Sequence, residues 1–172
     1  MSDDVPQPND HESGHHKVRD LEMYINVEPN SRTIGLSIVN NSSETRFLRV
    51  PLDLTLFRIK LTAANGHPLK MTARGTKDFT EPAAGSVMTN VLKTGERWDT
   101  SIDLGKFFEF PPSGVIRCEV SRLVHFAEPR THPYEREWIN FPPVRIVLRD
   151  PALPPISPST QPAVKQSTTT SK

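Results

Sequence analysis

Cysteine is almost absent from this chain, which has one such residue among 172. A single thiol can form neither an internal disulfide nor a thiolate cage for a metal ion, so neither feature stabilises the fold. The eight glycines are scattered, and none of them belongs to a glycine-rich phosphate-binding loop. The composition therefore excludes disulfide scaffolds, cysteine–zinc modules and P-loop proteins.

An excess of one charge sign and a long apolar run are missing too. The 21 Lys and Arg residues nearly balance the 20 Asp and Glu residues, whereas nucleic-acid-binding proteins normally carry a clear positive excess. No stretch approaches the roughly 18 apolar residues of a transmembrane helix. The acidic start of the chain lacks the basic and apolar regions of a secretory signal. We therefore expect no nucleic-acid partner, no membrane partner and a cytoplasmic location, or an extracytoplasmic one if the chain is a processed form.

The aromatic residues, 7% of the chain, all lie between Tyr24 and Phe141. Outside this region, residues 1–18 form an acidic stretch with three histidines, and residues 151–172 are rich in Pro, Ser and Thr. Segments so polar cannot bury enough apolar surface to offset the entropy lost when a chain becomes ordered. The composition therefore predicts disordered tails at 1–18 and 151–172 around a single domain at 19–150.

Apolar and polar residues alternate with a period of two along most of that domain. Leu21, Met23 and Ile25 share one face of the first such segment, and turn residues such as Asn65-Gly66 separate about eight segments of this kind. No window of a dozen residues has a helical period, so at most one short helical turn is expected. The pattern predicts an all-β fold of antiparallel strands. A sandwich is favoured over a barrel because large aliphatic and aromatic residues occupy the inward positions.

Three of the inward positions are those of Phe57, Trp98 and Cys118. A catalytic cysteine needs an exposed, electropositive site, so Cys118 is interpreted as a small buried hydrophobe. The segment 73–86 shows no strand pattern and is interpreted as a loop that could form a binding edge.

Five short stretches of the chain form recognisable motifs: Leu92–Glu96, Ile102–Leu104 with Phe107-Phe108, Pro112–Gly114, Ile38–Asn41 and Trp138–Asn140. The first three resemble the run L-x-x-G-E, D-L and P-x-G-x-Y-x-V of bacterial immunoglobulin-like β-sandwich domains. The chain is similar in the same way to the sandwich that precedes the catalytic part of deuterolysin-type metallopeptidases and, broadly, to the intracellular proteinase inhibitor family. One difference is Ile116, which stands where these domains commonly have Tyr. The resemblance covers most of residues 20–149 and implies a non-catalytic, immunoglobulin-like sandwich of about eight strands.

The stretch from His11 to His15 matches the zinc-protease motif H-E-x-x-H. In those proteases a helix places both histidines on one face, with Glu as the general base. Here the motif lies in a polar segment with Ser13 and Gly14 inside it, and no apolar face is available to pack a helix. We interpret the match as a coincidence, although adventitious Zn²⁺ or Ni²⁺ binding by His11, His15 and His16 is chemically reasonable. Neither a cofactor nor a catalytic residue is predicted.

A long insert, Leu123–Glu137, precedes the last predicted strand. Loops at one end of a sandwich commonly carry binding residues because a rigid scaffold presents them. Alternatively, the aromatic side chains of the insert fold back over the edge of the sandwich and its charges are simply solvated. A metal site of His125, Glu128 and His132 would require the loop to bring these three together. The candidate binding residues are His125, Phe126, Arg130, His132, Tyr134 and Trp138.

These features together predict a non-enzymatic β-sandwich that binds an unidentified protein partner, mainly through this insert, or that serves as an accessory module in an assembly. One alternative is a carbohydrate-binding module in which Tyr134 and Trp138 stack on sugar rings. A zinc hydrolase acting through His11, Glu12 and His15 is the least favoured alternative.

Overall fold

The computed structural model describes residues 12–50, 54–81, 88–126 and 135–149. These residues form two antiparallel sheets that pack face to face, which confirms the predicted all-β sandwich. The described part contains ten strands, more than the eight expected, and one α-helix. The elements are β1 (Glu12–Val18), β2 (Leu21–Val27), β3 (Thr33–Asn40), β4 (Arg46–Val50), β5 (Phe57–Ala63), α1 (Ala73–Thr80), β6 (Met88–Leu92), β7 (Arg97–Asp103), β8 (Gly114–His125), β9 (Arg136–Asn140) and β10 (Val144–Leu148).

The first sheet has the strand order β1-β2-β3-β7, and the second has the order β10-β8-β4-β6. Strand β8 is the central strand of the second sheet, because β5 and β9 also pair with it. Alternate residues of both sheets point into one shared core. Phe57, Trp98 and Cys118 are all buried there, as predicted.

Strands β9 and β10 follow one another along the same edge of β8. Asn140 pairs with Ser121, and Val144 pairs with Cys118. Three residues, 141–143, therefore lie opposite two residues of β8. This arrangement is a β-bulge with one extra residue.

The extra residue decides which side chains of β10 enter the core. Ile139 and Phe141 are buried before the bulge, whereas Val144 and Ile146 are buried after it. Because side chains alternate along a strand, only an inserted residue allows odd positions and then even positions to face inward. The bulge thus keeps both strands apolar on the core side.

The predicted tail at residues 1–18 is wrong for residues 12–18, which form β1 and pair with β2 along their whole length. A two-residue hairpin turn joins these strands, with Arg19 and Asp20 at positive φ angles of 47° and 61°. Such turns normally carry Asn-Gly, so the sequence contained no hairpin signal here. Residues 1–11 and 150–172 lie outside the described residues.

The predicted loop at 73–86 is also corrected, because residues 73–80 form α1. The helix begins at Thr72, whose side chain accepts a hydrogen bond from the Gly75 amide. Its Phe79 ring packs edge-on against Phe107 at 5.6 Å between centroids. The helix has only eight residues and one strong apolar contact residue, so no helical period was visible in the sequence.

Gly75 allows α1 to lie directly against the chain that follows β7. A Cβ atom at this position would stand 2.2 Å from the Phe107 carbonyl oxygen. We therefore expect Gly75→Ala to lower the free energy of unfolding by about 1–3 kcal/mol, since backbone would have to move. Urea denaturation measures this change, with Thr76→Ala on the exposed side of the same helix as the control. Equal stability of the two variants would contradict the close approach.

Cys118 has no exposed surface, and burial raises the pKa of its thiol to about 12. At pH 8 only about one thiol in ten thousand would be ionised at that pKa. We expect the folded chain not to react with an aromatic disulfide reagent at pH 8, and the urea-unfolded chain to react with one equivalent. Rapid labelling of the folded chain would show that the thiol is accessible.

Candidate functional site

The structure describes three of the six candidate binding residues, His125, Phe126 and Trp138, and places them in different environments. His125 ends β8 and is buried, so it cannot contact a ligand at the surface as the sequence interpretation required. Trp138 lies on β9 and is half-buried. Phe126 directly follows β8. Arg130, His132 and Tyr134 lie outside the described residues, as does Glu128 of the metal alternative.

The insert itself is shorter than predicted. Its first residues, 123–125, complete β8, and its last two, 136–137, begin β9. Residues 123–125 were interpreted as part of a loop because the predicted strand ended before Leu123, whereas β8 continues to His125. Only the part between these two strands connects them.

Phe126, directly after β8, is held between two guanidinium groups. The Arg19 and Arg46 guanidinium carbons lie 4.7 and 5.1 Å from its ring centroid. Arg19 also forms an ion pair of 3.2 Å with Glu137 on β9, and Arg46 one of 2.8 Å with Glu44. These contacts favour the alternative for Phe126 in which it covers the sandwich, and they fix the base of the β8–β9 connection.

The outer face of the second sheet carries a basic surface that the sequence interpretation did not identify. We define this basic face as the outward residues of β5, β8, β9 and β10. Among the outward residues of these four described strands, Glu119 is the single acidic one, because Glu137 of β9 pairs with the inward-facing Val124. The basic residues are Arg58, Lys60, Arg117, Arg136 and Arg145.

Arg58 and Trp138 form a cation–π contact on the basic face. The guanidinium carbon of Arg58 lies 4.0 Å from the centroid of the Trp138 ring. Because β8 separates the strands that carry these residues, the two side chains meet over β8. No carboxylate of the described residues forms an ion pair with Arg58. Its charge is therefore stabilised by an aromatic ring, which leaves its N–H donors available.

Polar side chains continue from Arg58 straight across the sheet. Arg58 pairs with Ser121, and Ser121 pairs with Asn140 on the opposite strand. The Ser121 hydroxyl donates a hydrogen bond of 2.6 Å to Oδ1 of Asn140. The Asn140 amide nitrogen, a donor, consequently belongs to the same cross-strand row as the Arg58 backbone, next to the row of Trp138.

A second group of charged side chains on the basic face lies around Glu119. Its carboxylate lies 2.9 Å from Nη2 of Arg117 and 3.7 Å from Nζ of Lys60. Arg117 also stands directly opposite Arg145 of β10. The two arginines are like charges in neighbouring cross-strand positions, and basic side chains outnumber the single carboxylate in this part of the basic face.

A groove of about 750 Å³ runs across the basic face. Its floor includes Arg58, Lys60 and Arg117, and Phe79 of α1 contributes to one wall. The opposite side is formed at the bulge by Pro143. A smaller hollow of about 450 Å³ adjoins it at Arg117 and Pro143 and extends past Val115. The helix and the bulge, neither of which was predicted, thus shape the concave surface.

The outer face of the first sheet has a different, internally paired set of polar groups. His15 stacks on Tyr24 with ring centroids 4.7 Å apart, and the Tyr24 hydroxyl donates a hydrogen bond of 2.5 Å to Glu22. This bond lowers the pKa of Glu22. Farther along, Ser37 donates to Asp99 and thereby lowers the pKa of that carboxyl.

The H-E-x-x-H match is not helical where the structure describes it. Glu12 to His15 lie in β1, where residues four apart are about 13 Å from each other. His11 itself lies outside the described residues. Within residues 12–50, 54–81, 88–126 and 135–149, no group of three potential metal ligands is close enough to hold an ion.

Comparison with known proteins returned no match to a protein-family model, a curated protein or a solved structure. The resemblance to bacterial immunoglobulin-like domains therefore stays a prediction. Within the described residues, no helix is long and apolar enough to cross a membrane.

Proposed function

We propose that this protein is a non-enzymatic binding module that holds an acidic segment of another protein on the basic face. The observation that supports this proposal most directly is the Arg58 guanidinium, positioned by Trp138 and without a carboxylate partner among the described residues. Trp138 keeps the role in partner binding that the sequence indicated, but its environment is a sheet face and not a loop tip.

The chemistry of Arg58 favours a carboxylate ligand. A guanidinium that lies over an aromatic ring keeps a fixed plane, and its N–H groups match the two oxygens of a carboxylate. Ordering by Trp138 reduces the side-chain entropy that binding would otherwise cost. The hydroxyl and amide groups of Ser121 and Asn140 add neutral hydrogen-bonding capacity beside the charge.

The same contact favours a protein ligand over a sugar. A stacking platform for sugars needs an open aromatic face, whereas Trp138 is half-buried and carries Arg58 over its ring. The groove lining includes the charged side chains of Arg58, Lys60 and Arg117, and a neutral sugar would have to desolvate these groups without compensating their charge.

The test is binding of a fluorescein-labelled octaglutamate peptide to the full chain, followed by fluorescence anisotropy. A charged hydrogen-bonded pair contributes about 1.5–3 kcal/mol, so Arg58→Gln should weaken binding by about 10- to 100-fold. Arg32→Gln is the matched control, because Arg32 also lies over an aromatic ring, that of Phe110 at 5.5 Å, but off the basic face. Circular dichroism verifies that both variants are folded.

Two results would overturn the proposal. One is equal peptide affinity of Arg58→Gln and Arg32→Gln. The other is displacement of the peptide by a neutral oligosaccharide at concentrations at which the sugar itself binds, which would establish the carbohydrate alternative.

A further inference from the structure

The basic face carries a second feature that specifies the ligand beyond its charge. Val115 and Val147 stand opposite each other on β8 and β10, and they are 39% and 38% exposed. They lie one outward position beyond Arg117 and Arg145 on the same two strands. Few large apolar side chains of the described residues are this exposed, so the two form an apolar patch at the end of the basic face.

From the proposed function, on which this step rests, we infer that the partner segment binds in an extended conformation along β8, with two acidic residues four to six positions apart and an apolar residue two positions past the second. The first acidic residue contacts Arg58. The second lies between Arg117 and Arg145. The apolar residue covers the patch of Val115 and Val147.

The spacing follows from the strand register. Arg58 pairs with Ser121, which is four residues from Arg117 along β8, a distance of about 13 Å at 3.3 Å per residue. The Arg58 guanidinium leans farther, toward Trp138, whose partner on β8 is Leu123. That row is six residues, or about 20 Å, from Arg117.

An extended segment has the same rise per residue as the strand beneath it. Acidic residues four to six positions apart can therefore reach both subsites, whereas a helix of equal length would span less than half of that distance. From Arg117 to Val115 is a further two residues, which sets the position of the apolar side chain.

The second subsite is suited to a carboxylate because basic side chains outnumber acidic ones there. Arg117 and Arg145 are cross-strand neighbours of like charge, and Lys60 lies on the other side of Glu119. A carboxylate placed between the two arginines is attracted by both guanidinium groups.

The experiment compares twelve-residue serine- and threonine-rich peptides with two glutamates one, four, six or eight positions apart. Each peptide has a valine two positions past the second glutamate, and a single-glutamate peptide is the reference. The full chain is titrated with each, and binding is measured by anisotropy at constant ionic strength. The peptides with spacings of four and six should bind at least 10-fold more tightly than the others.

Double-mutant cycles then assign the subsites. Replacing one glutamate by glutamine should cost little further affinity in Arg58→Gln but its full cost in Arg117→Gln, and the reverse should hold for the other glutamate. Val115→Ser should weaken binding about threefold or more for the valine peptide and not for a serine peptide.

The two proposals fail in different ways. If affinity follows peptide charge regardless of spacing while Arg58→Gln still weakens binding, the extended two-subsite arrangement is wrong and the acidic-partner function stands. If no acidic peptide binds, or if Arg58→Gln has no effect, both are wrong.

Discussion

Deletion of both Pro142 and Pro143 should unfold the domain, whereas deletion of Pro143 alone should leave it folded. The single deletion leaves two residues opposite two residues of β8, so the registers of β9 and β10 both persist. The double deletion leaves the chain one residue short while retaining every apolar side chain of both strands. If pairing then continued regularly from β9, Val144, Ile146 and Leu148 would turn outward, although all three are now buried.

The expected cost of that reversal is large. Each of the three side chains contributes about 1.5–3 kcal/mol through burial, so the total approaches or exceeds a typical domain stability of 5–15 kcal/mol. Keeping the β10 register instead would break the pairing of β9 with β8. Circular dichroism and thermal unfolding of both variants measure the difference. A cooperative transition of the double-deletion variant within a few degrees of the native one would show that the number of residues between β9 and β10 does not determine which side of β10 faces the core.

The sequence predicted the fold class because its strands bury one face only. Alternation in segments such as residues 21–27 and 57–61 depends on local side-chain periodicity, and the structure confirms both as strands. The bulge was invisible in the same reasoning. After residue 141 the buried positions change from odd to even residue numbers. In the sequence, such a change resembles the end of one strand and the beginning of another.

Strand β1 and the basic face could not be predicted either, because both depend on which strands pair with each other. As an edge strand, β1 derives its order from backbone hydrogen bonds to β2, and these leave no mark in composition. Arg58, Lys60, Arg117 and Arg145 are far apart in the sequence, and only the pairing of β5 and β10 with β8 brings them together. A near-neutral total charge consequently concealed a strongly basic surface.

Truncation of Arg122 should produce the second large effect, a loss of about 3–5 kcal/mol in Arg122→Ala. This arginine on β8 is 1% exposed. Its guanidinium carbon lies between two core aromatic rings, 3.8 Å from the centroid of Trp98 and 4.9 Å from that of Phe57. Removing the side chain opens a cavity between these rings, with a cost comparable to that of a large-to-small core substitution.

Arg122→Met should be much more stable than Arg122→Ala, and about as stable as the native chain. Burial lowers the pKa of Arg122 to about 9, so the interior disfavours its charge, which the group still carries at neutral pH. Methionine fills most of the space beneath Trp98 without that desolvation cost. The substitution also removes the cation–π contacts of Arg122 with Trp98 and Phe57. This loss costs about 1–2 kcal/mol and offsets part of the stability gained by removing the buried charge.

The pair of variants separates packing from charge at this position. Urea denaturation at pH 7 gives the free energy of unfolding of each, and near-ultraviolet circular dichroism reports on the environment of Trp98. If Arg122 stabilises the sandwich because its aliphatic chain fills space in the core, Arg122→Met retains both the native free energy of unfolding and the near-ultraviolet signal of Trp98. Equal destabilisation of the two variants would instead show that the guanidinium group itself stabilises the sandwich. Arg122 would then combine with Phe57 and Trp98 in a contact between the two sheets that no apolar side chain can replace.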